Sequence, residues 1–485
     1  MRKRGKMKVL IINPPLTAKE QARDFEAAVN VLPPLGIAYI AAVLEKDKFD
    51  VTVIDSIPTK TSHSEIRSLI EKEKPEMIGI AATILQVESA NLIAKNAKEV
   101  SPKSVIVIGG PHVATMPERV LKESQFYELG VTGEAEYTFR EIARKIRKKD
   151  FNFKDVQGCY SKGSKGKIYF GGIRPYIANL NELPFPARHL LPPLELYNPS
   201  PITYKKFPVG TMMSSRGCPA QCTFCDRSVF GNWTRQRDPI NVVDEMQELV
   251  EVYGAKEIKF YDDTFTINPK RVLQICDEIK KRKLNVTWSC LTRVSNVNKE
   301  ILEAMHSSGC WHVLYGIENG NQHMLDYIKK GTNLNQIRDA VMWAKEAGLN
   351  VRGSFICGLP GETKETIENT VKFALGLGLD EANFYTLALY PGNELYHMLK
   401  KEGKIRHENY KDYNPLAYDD NAVLAYVPEG MEEKELKSII KKAHRRFYFR
   451  PAYIARQVMQ IRSKEDVKRY WYAAKALFKL NYASG

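Results

Sequence analysis

Three cysteines stand close enough together to act on one object. Arg216-Gly217-Cys218-Pro219-Ala220-Gln221-Cys222-Thr223-Phe224-Cys225 spaces them as C-x3-C-x2-C. Thiolates at this spacing can wrap one face of an iron–sulfur cube, whose usual set of four cysteines is here one short, leaving one iron open to a small molecule. A structural zinc site would need a fourth Cys or His to close its tetrahedron. None lies nearby, and His189, the nearest histidine upstream, sits among prolines. The remaining cysteines read as small hydrophobes: Cys276 follows a helical pattern with Leu273 and Ile279, Cys290 and Cys357 end apolar strands, and Cys310 follows a helix-ending Gly309.

The triplet needs a rigid support, and the flanking sequence supplies one. From Val209 a strand and helix alternation runs through Val209–Met213, Ile258–Tyr261, Val286–Ser289, His312–Tyr315, Val351–Ile356 and Ala382–Leu387, each followed by a helical stretch. Six such units predict a partial (β/α)6 parallel barrel over residues 208–428. Barrel active sites gather at the carboxyl ends of the strands. Polar residues cluster there: Asp262-Asp263, Thr292-Arg293, Glu318-Asn319 and Gly358-Leu359-Pro360-Gly361-Glu362. Helix capping is the plain alternative for Asp262, Asp263 and Glu318, and barrel ion pairs are the alternative for Arg293 and Arg352.

Residues 1–148 alternate in the same way, with strands at Lys8–Ile12, Val51–Ile54, Met77–Ala81, Val105–Ile108 and Tyr127–Val131. Near-continuous apolar strands between helices predict a doubly wound α/β domain of flavodoxin-like type, with a five-stranded parallel sheet covered on both faces. Ligands bind such sheets beyond the strand carboxyl ends. At those ends stand Asn13, Asp55, Thr83, Gly109-Gly110-Pro111-His112 and Gly133-Glu134. Each alone reads as a tight turn; five together point to a bound cofactor. A dinucleotide or nucleoside triphosphate is a poor match, since no G-x-G-x-x-G follows the first strand and no G-x-x-x-x-G-K-[ST] occurs. Residues 149–207 carry a hairpin signal at Gly163–Gly166 and then prolines at 184, 186, 192, 193, 199 and 201, an ordered linker.

The cysteine triplet, with Phe224 before its last cysteine, resembles the radical S-adenosylmethionine superfamily. The resemblance implies one 4Fe–4S cluster on Cys218, Cys222 and Cys225. Its open iron is chelated by S-adenosylmethionine, which an external one-electron reductant of flavodoxin or ferredoxin type cleaves to a 5′-deoxyadenosyl radical. It also implies that Asp262 or Asp263 meets the methionyl amine, Glu318 approaches the ribose, Ile356-Cys357-Gly358 backs the adenine and Arg352 contacts the carboxylate. An α/β domain ahead of this barrel, with Pro33-Pro34-Leu35-Gly36, Gly109-Gly110-Pro111-His112 and Gly133-Glu134-Ala135-Glu136, resembles the cobalamin-binding branch over about residues 8 to 425. The pattern is closest to the anaerobic porphyrin-ring cyclase and to lipid-, hopanoid- and bacteriochlorophyll-tailoring members. This implies cobalamin at Asn13, Thr83, Gly109, Gly110, Gly133 and Glu134. The D-x-H-x-x-G that brings a cobalt-ligating histidine is absent, so cobalamin is expected without one, and His112 is expected to be a loop residue. The methylthiotransferase branch brings three further N-terminal cysteines, whereas this chain has none before Cys159.

The formal charge of +15 is concentrated at one end. Lys441 to Gly485 holds twelve Lys and Arg against Glu465 and Asp466, ten of the fifteen net charges. The body is therefore not a nucleic-acid-coating surface, and a nucleic-acid partner is not expected. Residues 429–485 read as a helical extension in which bases interleave with Phe447, Tyr448, Trp471 and Phe478. Three readings of this extension stand: peripheral docking on an anionic membrane or membrane-bound lipid, a packed helix pair with a solvated basic face, and, less favoured, nucleic acid. No apolar run approaches a membrane span, so a cytoplasmic protein is expected. The expected function is modification of an unactivated carbon in a small-molecule, lipid or tetrapyrrole substrate, by cobalamin-dependent methylation or by oxidative cyclisation. A radical enzyme without cobalamin, or a non-catalytic cobalamin or iron–sulfur sensor, are the alternatives.

Overall fold

The computed structural model describes residues 6–17, 30–409, 423–459, 461, 467 and 471. Strands β1 (Lys8–Asn13), β2 (Asp50–Asp55), β3 (Met77–Ala81), β4 (Val105–Gly109) and β5 (Leu129–Val131) pair in parallel, in the spatial order β2-β1-β3-β4-β5. The apolar runs dictate this burial: Val9–Ile12 and Ile106–Ile108 are covered on both faces by helices. In this order the chain reverses direction between β1 and β3, the switch point at which doubly wound sheets open a crevice.

One expectation changes. The hairpin β6 (Cys159–Lys162) and β7 (Ile168–Phe170) does not lie in a linker but adds antiparallel to β5, so the sheet has seven strands. Tyr160 stacks on Phe170 across it at 4.3 Å. The rest of the linker is ordered, as expected: four 3-10 turns between Leu180 and Thr203 lie over both halves of the chain. Thr211 Oγ1 donates to Pro33 O and Tyr197 OH to Asp55 Oδ2, tying the halves together.

The second sheet is β8 (Val209–Met212), β11 (Glu257–Phe260), β12 (Thr287–Thr292), β13 (Cys310–Glu318), β14 (Asn350–Cys357) and β15 (Glu381–Thr386), all parallel and in sequential order. Between β8 and β11 lies a short antiparallel ribbon, β9 (Ser215–Arg216) with β10 (Arg235–Gln236). Strand residues alternate: Ile258, Phe260, Val313, Tyr315, Val351, Phe355 and Phe384 pack on the outer helices, and their neighbours face the lumen. Asn298, Asn333, Thr363 and Asn393 accept hydrogen bonds from the opening turns of four of these helices, which fixes where each strand-to-helix loop ends. Beyond β15, the helix Glu433–Tyr448 packs on the open edge of the barrel through Leu436, Ile440, Ala443 and Phe447.

Candidate active site

Cys218, Cys222 and Cys225 occupy the loop after β9, held from three sides. Gly217 N donates to Asp263 Oδ2 at 3.0 Å, Thr223 N to Ile328 O at 3.0 Å, and Leu395 N to Thr223 O at 2.9 Å. Asn393 Nδ2 donates to Phe224 O at 3.1 Å. Cys218 is half-buried, Cys222 buried and Cys225 open to solvent at the rim of the hollow. The protein around Cys225 pushes its thiol up to about 12, with Cys222, Asp263 and Cys218 adding to the effect. Arg293 Nη1 points at Cys222 Sγ from 3.4 Å and its other arm donates to Lys330 O, so Arg293 serves this loop and not a barrel ion pair. Among the described residues, no three His, Cys, Asp or Glu side chains converge tightly enough to hold a single ion. A loop of three spread thiols suits a polynuclear cluster.

The residues expected around the cluster divide into two groups. Glu318 ends β13 at a bulge against β14, with φ at +69°, a conformation that non-glycine residues keep only under constraint. Its carboxylate pairs with Lys330 Nζ at 2.8 Å. A side chain at Gly316 would run into that Lys330 nitrogen. Lys330 also lies over the Phe224 ring at 5.8 Å, so Glu318 is connected to the cysteine loop. Ile356 faces the lumen mouth and packs in one cluster with Phe224. Asp263 is exposed beside the loop, with its Oδ2 accepting from Gly217 N.

The other group is spent elsewhere. Asp262 is buried and accepts hydrogen bonds from Ser214 N, Ser214 Oγ and Ser215 Oγ at 2.6–2.7 Å, bracing the end of β8. Arg352 makes an ion pair with Glu381 on the adjacent strand. Gly358, at φ +94°, adopts a backbone conformation that favours glycine, and a β-carbon there would displace the end of the Leu436 side chain of the C-terminal helix. Neither Asp262, Asp263 nor Glu318 caps a helix.

In the first sheet, Asn13, Thr83 and Asp55 form one network through Gln86. Gln86 Nε2 donates to Asn13 Oδ1 at 2.9 Å, Thr83 Oγ1 donates to Gln86 Oε1 at 2.9 Å, and Asn13 Nδ2 donates to Asp55 Oδ1 at 2.8 Å. The network lies at the β1/β3 switch point with Thr83 exposed. Gly109 and Gly110 follow β4. Gly110, at φ +109°, is held against its neighbour, since a β-carbon there would meet Ala82 O at 2.6 Å. Gly133, at φ +67°, faces open space instead. His112 is not a loop residue. It lies in the short helix Pro111–Thr115, buried, and burial drives its pKa to about 4.

Glu134 is the largest departure from expectation. It is buried and takes Arg216 Nη1 at 2.7 Å on one oxygen and Arg235 Nη1 with Ile177 N on the other. Glu136 takes Arg216 Nη2 at 2.7 Å. Tyr39 and Phe230 sandwich the Arg216 guanidinium at 4.9 and 5.2 Å. Both arginines belong to the ribbon that leads into and out of the cysteine loop. The turn after β5 is therefore clamped to the residue immediately before Gly217-Cys218. No local signal marks the pairing, because the partners lie about 80 to 100 residues apart. Met116, after β4, joins the apolar cluster of Phe224 and Ile356. The carboxyl edges of the two parallel sheets thus face one another.

A doubly wound domain whose ligand edge is clamped against the three-cysteine mouth of a partial barrel defines a two-domain radical enzyme. The Radical SAM superfamily model matches residues 212–374 and the B12 binding domain model residues 25–143. An uncharacterized methyltransferase of Pyrococcus horikoshii is 34% identical over 460 residues, 94% of this chain and 95% of that protein. The anaerobic magnesium-protoporphyrin IX monomethyl ester cyclase of Rubrivivax gelatinosus is 29% identical over 482 residues, 98% and 83%. The structure of the radical S-adenosylmethionine methyltransferase TsrM from Kitasatospora setae, with cobalamin and a 4Fe–4S cluster bound, shares the fold. Its TM-score is 0.71 at 16% identity, over 97% of this chain and 99% of that one. The chain belongs to the radical SAM superfamily and is an enzyme of its cobalamin-binding branch. Its residues fit both groups. Three thiols on one loop suit a cluster with an open iron, and the carboxyl edge of the first sheet, with Thr83 exposed at the switch point and open space at Gly133 after β5, suits a corrinoid.

Proposed function

We propose that this enzyme methylates an unactivated carbon of a small organic substrate held in the barrel lumen. When bound, the cluster with S-adenosylmethionine supplies a hydrogen-abstracting radical and cobalamin supplies a methyl group. The chain's own residues do the positioning. Cys218, Cys222 and Cys225 would hold the cluster, and Asp263, exposed beside their loop, is placed for the methionyl amine. Glu318, held in its strained conformation by Lys330, is placed for the ribose, and Ile356 for the adenine. Asn13, Thr83, Gly109, Gly110 and Gly133 line the corrinoid edge, while Glu134 fixes that edge to the cluster loop. His112 is buried in its short helix, which supports a corrinoid held without that histidine on cobalt.

The observation that carries this reading is the Glu134–Arg216–Glu136 clamp, which makes the two cofactor edges one site. The methyltransferase names of two relatives favour methylation; the cyclase name of the third favours ring closure by the same substrate radical. The test is incubation of the reconstituted enzyme, a flavodoxin-type reductant and methyl-labelled S-adenosylmethionine with an extract from a host lacking the gene. Methylation predicts label in a new product together with 5′-deoxyadenosine. Deoxyadenosine with an unlabelled, more oxidised product would transfer the assignment to cyclisation. Peripheral membrane contact through the tail is supported by the helix Pro451–Met459, which buries none of its residues and exposes Ile454, Val458 and Met459.

A further inference from the structure

The lumen carries charge that the positioning roles above do not use. One layer of lumen-facing side chains runs across the barrel: Leu291, Leu314, Arg352 and Glu381 are in register strand by strand, and Tyr261 directly follows Phe260, the partner of Cys290. Tyr261 and Leu291 stand at two central strands, yet they are 42% and 41% exposed. Their strand neighbours Phe260 and Cys290 pack in the outer core, so this exposed surface is on the lumen face of the sheet. Across the lumen Arg352 is neutralised by Glu381.

One layer below, Lys259 points the same way from β11. Its ammonium has no hydrogen-bond or ion-pair partner among the described residues. Glu257, two residues earlier, is already occupied: its oxygens accept from Lys205 N, Lys206 N and Trp311 Nε1 at 2.6, 2.9 and 3.0 Å. Burial lowers the Lys259 pKa to about 8, while Glu257 and Glu381 pull it up and Arg352 pushes it down. Glu257 is thus a nearby opposite charge but not a direct ion-pair partner, and a buried lysine in no direct ion pair is costly unless an anion comes closer.

Taking the lumen as the substrate site, as proposed above, we infer that the substrate carries an oxyanion group, carboxylate or phosphate-type, that pairs with Lys259 while its apolar body lies on Tyr261 and Leu291. The arrangement selects an amphiphilic acid over a neutral hydrocarbon of the same size. Ligand-observed NMR on the reconstituted full-length enzyme tests this with hexanoate, hexylphosphonate and hexan-1-ol as probes. At least one of the two acids should bind roughly tenfold or more tightly than the alcohol, the equivalent of one charge-assisted hydrogen bond. Whichever acid is preferred identifies the oxyanion. Lys259→Met should erase the advantage and Lys259→Arg should keep it, with melting temperatures showing that each variant is folded. The wild-type comparison stands even if a variant fails to fold. Equal binding of acids and alcohol, or a preference that survives in folded Lys259→Met, overturns the inference. Deoxyadenosine formation in the same samples separates the two levels: cleavage without acid preference removes only this inference, whereas wild-type enzyme that cleaves no S-adenosylmethionine removes the reading beneath it.

Discussion

At the scale of single residues, the site depends on a few buried charges that answer one another over long stretches of chain. Arg216 and Arg235 are almost wholly enclosed, and their charge is tolerable only because Glu134 and Glu136 are enclosed with them. Removing one partner of such a set strands the others in a medium that solvates them poorly, at a cost on the order of 3–5 kcal/mol. Glu134→Gln should therefore lower the unfolding free energy by about that amount. Iron loading should fall with it, since Arg216 leads directly into the cysteine loop. Glu136→Gln, which loses a single bond, should cost less. Thermal unfolding with iron analysis of the purified variants checks both, and a Glu134→Gln protein as stable as wild type would mean that the clamp is ornamental.

At the scale of elements, most of the fold was legible because local pattern and tertiary burial agree. Met77–Ala81 and the inner residues of the other predicted strands are apolar runs, and apolar runs in this alternation can only be central strands. The cysteine triplet was legible because its chemistry needs only short spacing. What stayed hidden depends on partners far away in the chain. Gly133-Glu134-Ala135-Glu136 looks like a ligand turn until Arg216 is seen beside it; Arg352 looks available until β15 brings Glu381 alongside. The hairpin at Gly163 was recognised, but its pairing with β5 is a matter of register that no turn motif encodes. The basic extension resolved in part. Phe447 is buried and Tyr448 half-buried against β15, where Tyr448 OH meets the Ala382 backbone. Trp471 is 69% exposed, and Phe478 lies outside the described residues. The same docking helix predicts a pH effect. His444 receives Phe384 N at 3.3 Å, and burial lowers its pKa from 6.5 to about 4. The unfolded chain therefore binds the extra proton in that window, and stability falls as pH drops from 6.5 towards 4. Between about pH 7 and pH 5, wild type should lose about 2 kcal/mol more than His444→Gln. Denaturant unfolding at both pH values measures the difference, and parallel losses would contradict the assignment.

At the scale of the whole molecule, two parallel sheets bring their carboxyl edges together, and the chain's net charge is concentrated late in the sequence. Ten of fifteen net positive charges belong to residues 441–485. Lys442 and Arg445 are exposed on the docked helix, and Ile454 and Val458 on the next. Vesicles containing anionic lipid should sediment with the protein at low salt and release it as salt rises, since exposed charges are screened within about 8–10 Å. Equal recovery with neutral vesicles would leave the tail a structural element only. No helix among the described residues is long and apolar enough to cross a membrane.

The central claim is that cluster and corrinoid occupy facing edges of one site. Anomalous scattering at the iron and cobalt edges, from crystals of the fully loaded enzyme, tests it most directly. The account places iron over Cys218, Cys222 and Cys225, and cobalt over the strand ends at Asn13, Thr83 and Gly133, without a histidine of this protein on the metal. Cobalt bound to a protein imidazole, or cobalt located away from the edge that Glu134 clamps to the cysteine loop, would contradict it.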